Sequence, residues 1–186
     1  MAEWGGDVLR LHLVVLRCQT GDERAFAQLF EWFNPRTERY LRSLVGDAAD
    51  DVQQEVWLAV YRGLSSVTNP RAFRTWLFQT TRHRAIDYLR KQKRERELIS
   101  EVSSEAIEAI DPAEESSTLD LSNFDAVLAE LPTAQREALL LRYRDDLSYN
   151  EIALVVGCSV GTIRSRLHHA KRRMQELMAT HTRGQQ

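Results

Sequence analysis

The sequence predicts an all-α protein made of two small helical domains joined by an acidic linker, and three observations carry that prediction. Apolar residues recur at helical spacing along most of the chain, and no Val/Ile/Thr alternation is long enough for a strand. Only 8 glycines and 4 prolines punctuate 186 residues. The formal net charge of −2 hides a strong segregation: two basic blocks flank a stretch, Glu97 to Glu130, that holds no Lys or Arg.

Taken in order, Asp22 to Phe33 sets Phe26, Leu29, Phe30 and Phe33 at helical spacing. Asn34-Pro35 is expected to break or kink that helix, because a residue before proline avoids the helical region. Thr37 to Val45 then forms a short helix faced by Tyr40, Leu41, Leu44 and Val45, and Gly46-Asp47 ends it. Asp50 to Leu64 follows, with Val52, Val56, Ala59, Val60 and Gly63 in one stripe and Trp57 beside it. Ser65 to Pro70 is rich in turn residues. A long helix from Arg71 to about Arg96 turns Phe73, Leu77, Thr80, Thr81, Ala85, Tyr88 and Leu89 inward and ends in basic turns. Domain boundaries are therefore expected at 1–96 and 124–182, with 97–123 as a flexible acidic linker.

Several function classes recede at this point. No apolar run approaches the ~20 residues of a membrane helix. Arg10 and His12 interrupt Leu9–Leu16 and no small-residue cleavage site follows, so neither a signal peptide nor direct membrane insertion is expected. Cys18 and Cys158 stand far apart without metal-ligand neighbours and read as free thiols of a cytoplasmic protein. A Gly-rich nucleotide loop, a catalytic carboxylate pair and a nucleophile constellation are all missing, so neither enzymatic activity nor a cofactor is expected.

The stretch "LSYNEIALVVGCSVGTIRSRLHHAKRR", Leu147 to Arg173, carries the chemistry. Ser148 and Glu151 have capping-box spacing, Gly157 permits the positive φ that ends a helix, and Ser159 can cap the next. In that second helix Ile163, Leu167, Ala170 and Met174 face inward while Arg164, Ser165, His168 and Arg172 point elsewhere. This is a helix-turn-helix pattern. A solvated helical hairpin with a basic end would show part of it, since Lys and Arg favour a helix C-terminus. Gly161 and Thr162 tip the balance toward DNA, because a small residue in the first turn admits a phosphate to the backbone. A metal reading of His168 and His169 is disfavoured, because adjacent helical residues diverge by about 100°.

At these residues the sequence resembles a known family. The stretch from Leu147 to Met174, with the preceding "LPTAQREALLLRYRDD", looks like region four of the extracytoplasmic-function (ECF) sigma factors of bacterial RNA polymerase. "GDERAFAQLFEWFNPRTERYLRSLVGDAADDVQQEVWLAVYRGL" and "NPRAFRTWLFQTTRHRAIDYLRKQKR" resemble region two of that family. Both blocks occur in order at the usual separation, and only the tails and the linker are unmatched.

The resemblance implies partners and residue roles. Asp51, Gln54 and Glu55 would meet a basic coiled coil of core RNA polymerase, although carboxylates in a helix's first turn are also favoured by its dipole. Asn69 and Arg71 fall on the family's base-capturing loop at the minus-ten promoter element, and Arg74, Arg82, Arg84, Arg90 and Lys91 would track single-strand phosphates. Phe73 and Trp76 are read as core, not as stacking platforms. His83 stands where the family often has Asn, which leaves the base preference there open. Arg142, Gly161, Thr162, Arg164, Ser165, His168, His169 and Arg172 map to the minus-thirty-five reading surface, with His169 where Arg is common. The family also implies restraint by an anti-sigma factor.

Two promoter elements about two duplex turns apart lie on the order of 70 Å from each other. A ~25-residue linker reaches ~80 Å fully extended but averages only ~28 Å as a relaxed coil, so the unbound chain is expected to be compact. The acidic run is expected to occupy the polymerase's basic RNA channel; simple solubility of a tether is the alternative. An autonomous helix-turn-helix regulator is the competing function, but it leaves the first module unexplained. A histidine-using nuclease lacks carboxylate partners for the His pair.

Overall fold

The computed structural model describes residues 8–102 and 127–183, and among them there is no strand. The linker from 103 to 123, and the expectation that it mimics RNA, lie outside the described residues. Seven helices are labelled here: α1 Val8–Gln19, α2 Glu23–Val45, α3 Ala49–Gly63, α4 Phe73–Val102, α5 Thr133–Leu139, α6 Tyr149–Val156 and α7 Val160–Arg183. Short 3-10 turns at Gly46–Ala48, Leu64–Ser66 and Pro70–Ala72 connect the first four.

The expected break at Asn34-Pro35 does not occur: α2 runs unbroken through Pro35. A proline inside a helix costs about 3 kcal/mol or more, and two features offset it. Leu29, Phe33, Tyr40 and Leu41 form one buried stripe on both sides of the proline, so a single helix buries more than two short ones. The oxygens of Asn34 beside it are also satisfied. The Asn34 carbonyl accepts from Thr37 Oγ1 and from Gln53 Nε2, each at 3.2 Å, and its side-chain Oδ1 accepts from Gln53 Nε2 at 2.7 Å and Trp57 Nε1 at 3.0 Å. Phe30 also departs from expectation. It lies at the margin of the stripe, 40% exposed, with its ring 4.9 Å from that of Trp57.

Helix α4 begins two residues late and ends late. Asn69 Oδ1 accepts from the Arg71 amide at 3.0 Å and initiates the Pro70–Ala72 turn, so the α-helix starts only at Phe73. At the other end it continues past Arg96 to Val102, into the stretch read as linker. No Gly or Pro stands in its way, and Lys93 pairs with Glu97 at 3.7 Å one turn on.

In the C-terminal half, a helical turn at 127–129 leads to α5, which passes through a single π-helical turn, Leu140–Arg144. Asp146, at φ 53, then reverses the chain before α6. The capping box forms as the spacing requires: Ser148 Oγ accepts from the Glu151 amide at 3.3 Å and Glu151 Oε2 from the Ser148 amide at 2.7 Å. Gly157 ends α6 in the left-handed region at φ 74, and Ser159 Oγ accepts from the Thr162 amide at 3.1 Å to open α7.

Two apolar cores result. One gathers α1 to α4 around Leu29, Phe33, Val56, Phe73 and Leu77. The other gathers α5 to α7 around Leu141, Leu147, Ile152, Ile163 and Leu167, and it also takes in Tyr40 and Phe78 from the first half. The two modules therefore share a seam along α2 and α4.

Candidate nucleic-acid interface

Helix α7 carries the residues expected to read the minus-thirty-five element. Ile163, Leu167 and Ala170 are buried and hold one face of the helix against α5 and α6. That fixes Gly161, Arg164, Ser165, His168, His169 and Arg172 as exposed groups on the remaining faces. A Cβ on Gly161 would meet only Ser159 Oγ at 3.6 Å, so packing does not demand glycine there. Thr162 is tied to the cap, its hydroxyl 2.9 Å from that of Ser159. Arg172 lies 3.6 Å from Glu176, and the His168 and His169 rings meet edge to face at 5.6 Å between centroids. Among the described residues no group of three His, Cys, Asp or Glu side chains is arranged to hold a metal. Arg142 is more enclosed than its neighbours: Nη1 donates to the Leu147 carbonyl at 3.0 Å and its guanidinium lies 5.7 Å from the Tyr149 ring centre.

The basic residues of α4 divide into two groups. His83, Arg90 and Lys91 are exposed and Arg84 is half-buried, and a groove beside Ala59, Trp76 and Thr80 is lined by Arg82, His83, Arg84 and Arg90. Arg71 and Asn69 are exposed at the foot of this helix. Arg74, and Arg82 although it also lines that groove, are committed to the second module. Arg82 Nε donates to Glu137 Oε1 at 2.8 Å, and Arg74 Nη2 donates to the Asp145 carbonyl. Phe73 is fully buried and Trp76 packs against the first core, as their place in the apolar stripe requires.

Asp51, Gln54 and Glu55 stand together on the exposed side of α3, whose other side is pinned by Val52, Val56 and Val60. Sequence reading missed two neighbours on this surface. Leu58 is 56% and Tyr61 67% exposed, and the Tyr61 ring rests edge to face on Phe26 at 5.3 Å. Their signal was present: both fall outside the 52/56/60 inner stripe.

Charge at the seam is unusual. Asp145 is buried, and burial pushes its carboxyl up to about 7, against the pull of Arg36 and Arg74. Burial also raises the Tyr40 hydroxyl well above its ordinary range, with the adjacent Glu137 carboxylate acting in the same sense.

A four-helix module with a basic helix, packed on a helix-turn-helix module with an exposed cationic recognition helix, defines a helical DNA-binding protein of two modules. Known proteins make the class specific. The sigma-70 region 2 family model matches residues 29–95 and the sigma-70 region 4 model matches residues 121–174. The chain is 35% identical over 176 residues to the ECF RNA polymerase sigma-E factor of Escherichia coli (strain K12), covering 86% of this chain and 89% of that one. It is 26% identical over 174 residues to the ECF RNA polymerase sigma factor SigW of Bacillus subtilis (strain 168), covering 87% and 93%. The sigma factor RpoE of Bartonella quintana, solved in complex with the anti-sigma factor NepR, superposes with a TM-score of 0.63 at 33% identity, covering 83% of this chain and 96% of that one. CnrH, solved in complex with the cytosolic domain of CnrY, shares the fold at 23% identity and a TM-score of 0.62.

The chain belongs to the ECF sigma factors of bacterial RNA polymerase. It is a transcription initiation factor that binds core RNA polymerase and directs promoter-specific initiation. The region 2 match, over residues 29–95, accounts for most of the module that an autonomous regulator would leave unexplained.

Proposed function

We propose a division of labour among named surfaces. The exposed side of α3, with Asp51, Gln54 and Glu55, seats the first module on the polymerase, and Leu58 and Tyr61 extend that contact with apolar area. Asn69 and Arg71 begin, and α4 continues, the surface that takes up the minus-ten strand, with His83, Arg84, Arg90 and Lys91 toward it and Arg74 and Arg82 joining once released. On α7, Gly161, Thr162, Arg164, Ser165, His168, His169 and Arg172 meet the minus-thirty-five element, Arg164 and Ser165 toward base edges and Arg172 toward phosphates. Arg142 supports this surface from beneath.

The observation that carries this reading is the one-sidedness of α7: a helix anchored by Ile163, Leu167 and Ala170 presents every polar reading residue outward while its N-terminus is capped and ordered. The factor works in the cytoplasm, has no reaction of its own, and is restrained by an anti-sigma factor, as the complexes of its structural relatives support. Promoter-directed transcription by purified core polymerase, with and without the chain, tests the proposal. Specific transcripts that require both components support it; a chain that shifts a DNA band unaided and leaves transcription unchanged would overturn it.

A further inference from the structure

The seam between the modules is built from one stripe of α4. Arg74, Thr75, Phe78, Gln79 and Arg82 recur at helical spacing and all face the second module. At its centre is Glu137 of α5, a carboxylate only 4% exposed. Its Oε1 accepts from Tyr40 Oη at 2.7 Å and from Arg82 Nε at 2.8 Å. Phe78 lies fully buried against Tyr40, edge to face at 5.5 Å. Around this centre Gln79 Nε2 donates to the Leu154 carbonyl at 2.9 Å, and Thr75 Oγ1 donates to Glu151 Oε1 at 3.3 Å.

Such a seam holds only while it is closed, yet nothing in it forbids opening. A buried carboxylate needs charged or hydrogen-bonding partners, and those of Glu137 come from the other module. Once the modules part, water replaces them on both sides. Seams between modules of one chain, polar as this one is, open more readily than apolar cores. Opening is also obligatory in use: promoter elements two duplex turns apart, on the order of 70 Å, cannot both be held while α4 touches α6.

We propose that this seam is an autoinhibitory clasp in which Glu137 stands in for a nucleic-acid phosphate, occupying Arg82 until the polymerase separates the modules. The guanidinium then exchanges one oxyanion for another, carboxylate for phosphodiester, and the two ligands compete for the same donor face. Arg74 is held in parallel by the Asp145 carbonyl. The reading face of α7 stays exposed in the clasped state, so the clasp withholds Arg74 and Arg82 from the single-strand surface and leaves duplex recognition untouched. This rests on the reading of α4 as the helix that tracks the melted strand.

The test uses the full chain and a fluorescein-labelled, mixed-sequence single-stranded 12-mer, with small-angle scattering to report compaction. Glu137→Gln is expected to enlarge the radius of gyration and to tighten single-strand binding by about tenfold, whereas Tyr40→Phe, which keeps the Arg82 pair, should change binding far less. A second arm starts from Cys18→Ser/Cys158→Ser, adds Gln79→Cys and Leu154→Cys, and bridges them with a reducible bis-maleimide. The bridged chain should not support transcription by core polymerase, and reduction should restore it. Full transcription by the bridged chain, or unchanged compaction and single-strand affinity in Glu137→Gln, overturns the clasp. Adding Arg82→Ala to the opened chain separates the two ideas. If scattering shows opening but removal of Arg82 leaves single-strand affinity unaltered, the reading of α4 fails while the seam stands, and the phosphate exchange is rejected.

Discussion

Asp145 and Arg36 face each other at 3.9 Å across the two modules, the carboxylate almost wholly enclosed and the guanidinium half-buried. Arg36, Arg39 and Arg74 approach it from α2 and α4, and Arg144 from its own turn. Burial outweighs them and leaves the carboxyl titrating near 7.

That value sets a direction for pH. A carboxyl freed by separation returns toward its ordinary pKa of about 3.9, so between there and 7 the closed form holds a proton that the open form lacks. The closed form is thus favoured as pH falls, and that contribution is lost as pH rises through about 7. Scattering should show a smaller radius of gyration at pH 6 than at pH 8. Asp145→Asn should flatten the profile and remain compact at both; an unaltered profile in this variant would assign the effect to another group.

Asn34 holds α2 to α3 beside Pro35. Replacing it with Ala leaves the Trp57 Nε1 donor and one Gln53 donor without their side-chain acceptor, which should cost about 1–3 kcal/mol. Chemical denaturation measures it, with the midpoint shifted and the slope unchanged.

Asp51 and Glu55 are exposed and bear little on folding. Asp51→Lys/Glu55→Lys should therefore keep the helical spectrum and lower the melting temperature only as far as the loss of one first-turn carboxylate, worth about 0.3–1 kcal/mol, requires. It should weaken core polymerase binding by at least about tenfold, the effect of like charge placed against a basic surface. Wild-type affinity in a binding titration would move the polymerase contact to another face.

On α7, Arg164→Ala should lower transcription from a promoter with an intact minus-thirty-five element by about 1–3 kcal/mol of discrimination. A promoter lacking that element should respond little. Equal loss on both templates would reduce Arg164 to a general electrostatic contact.

What could be read in advance was local. Ser148 with Glu151, Gly157 and Ser159 state their structure within a few residues of themselves, and the 163/167/170 spacing settles which side of α7 is buried. The continuity of α2 was not readable, because a proline's local penalty is visible and the Asn34–Gln53–Trp57 network that accommodates it is not. The seam was still less so. Tyr40 and Glu137 are 97 residues apart and Arg82 and Glu137 are 55 apart, and a glutamate in "REALLLRY" looks like any solvated helical carboxylate. Arg74 and Arg82 were legible as cations, while their partners across the seam were not.

The far end of α4 has a practical consequence. Residues 93–98 are exposed on every side, so backbone hydrogen bonds and a few neighbouring ion pairs sustain those turns without tertiary burial. Fraying there requires only local melting, and the stretch offers trypsin Lys93, Arg94 and Arg96 in quick succession. A first nick should fall at that point, and the two fragments should still co-migrate on a sizing column, held by the contacts of Glu137, Asp145, Gln79 and Phe78 across the seam.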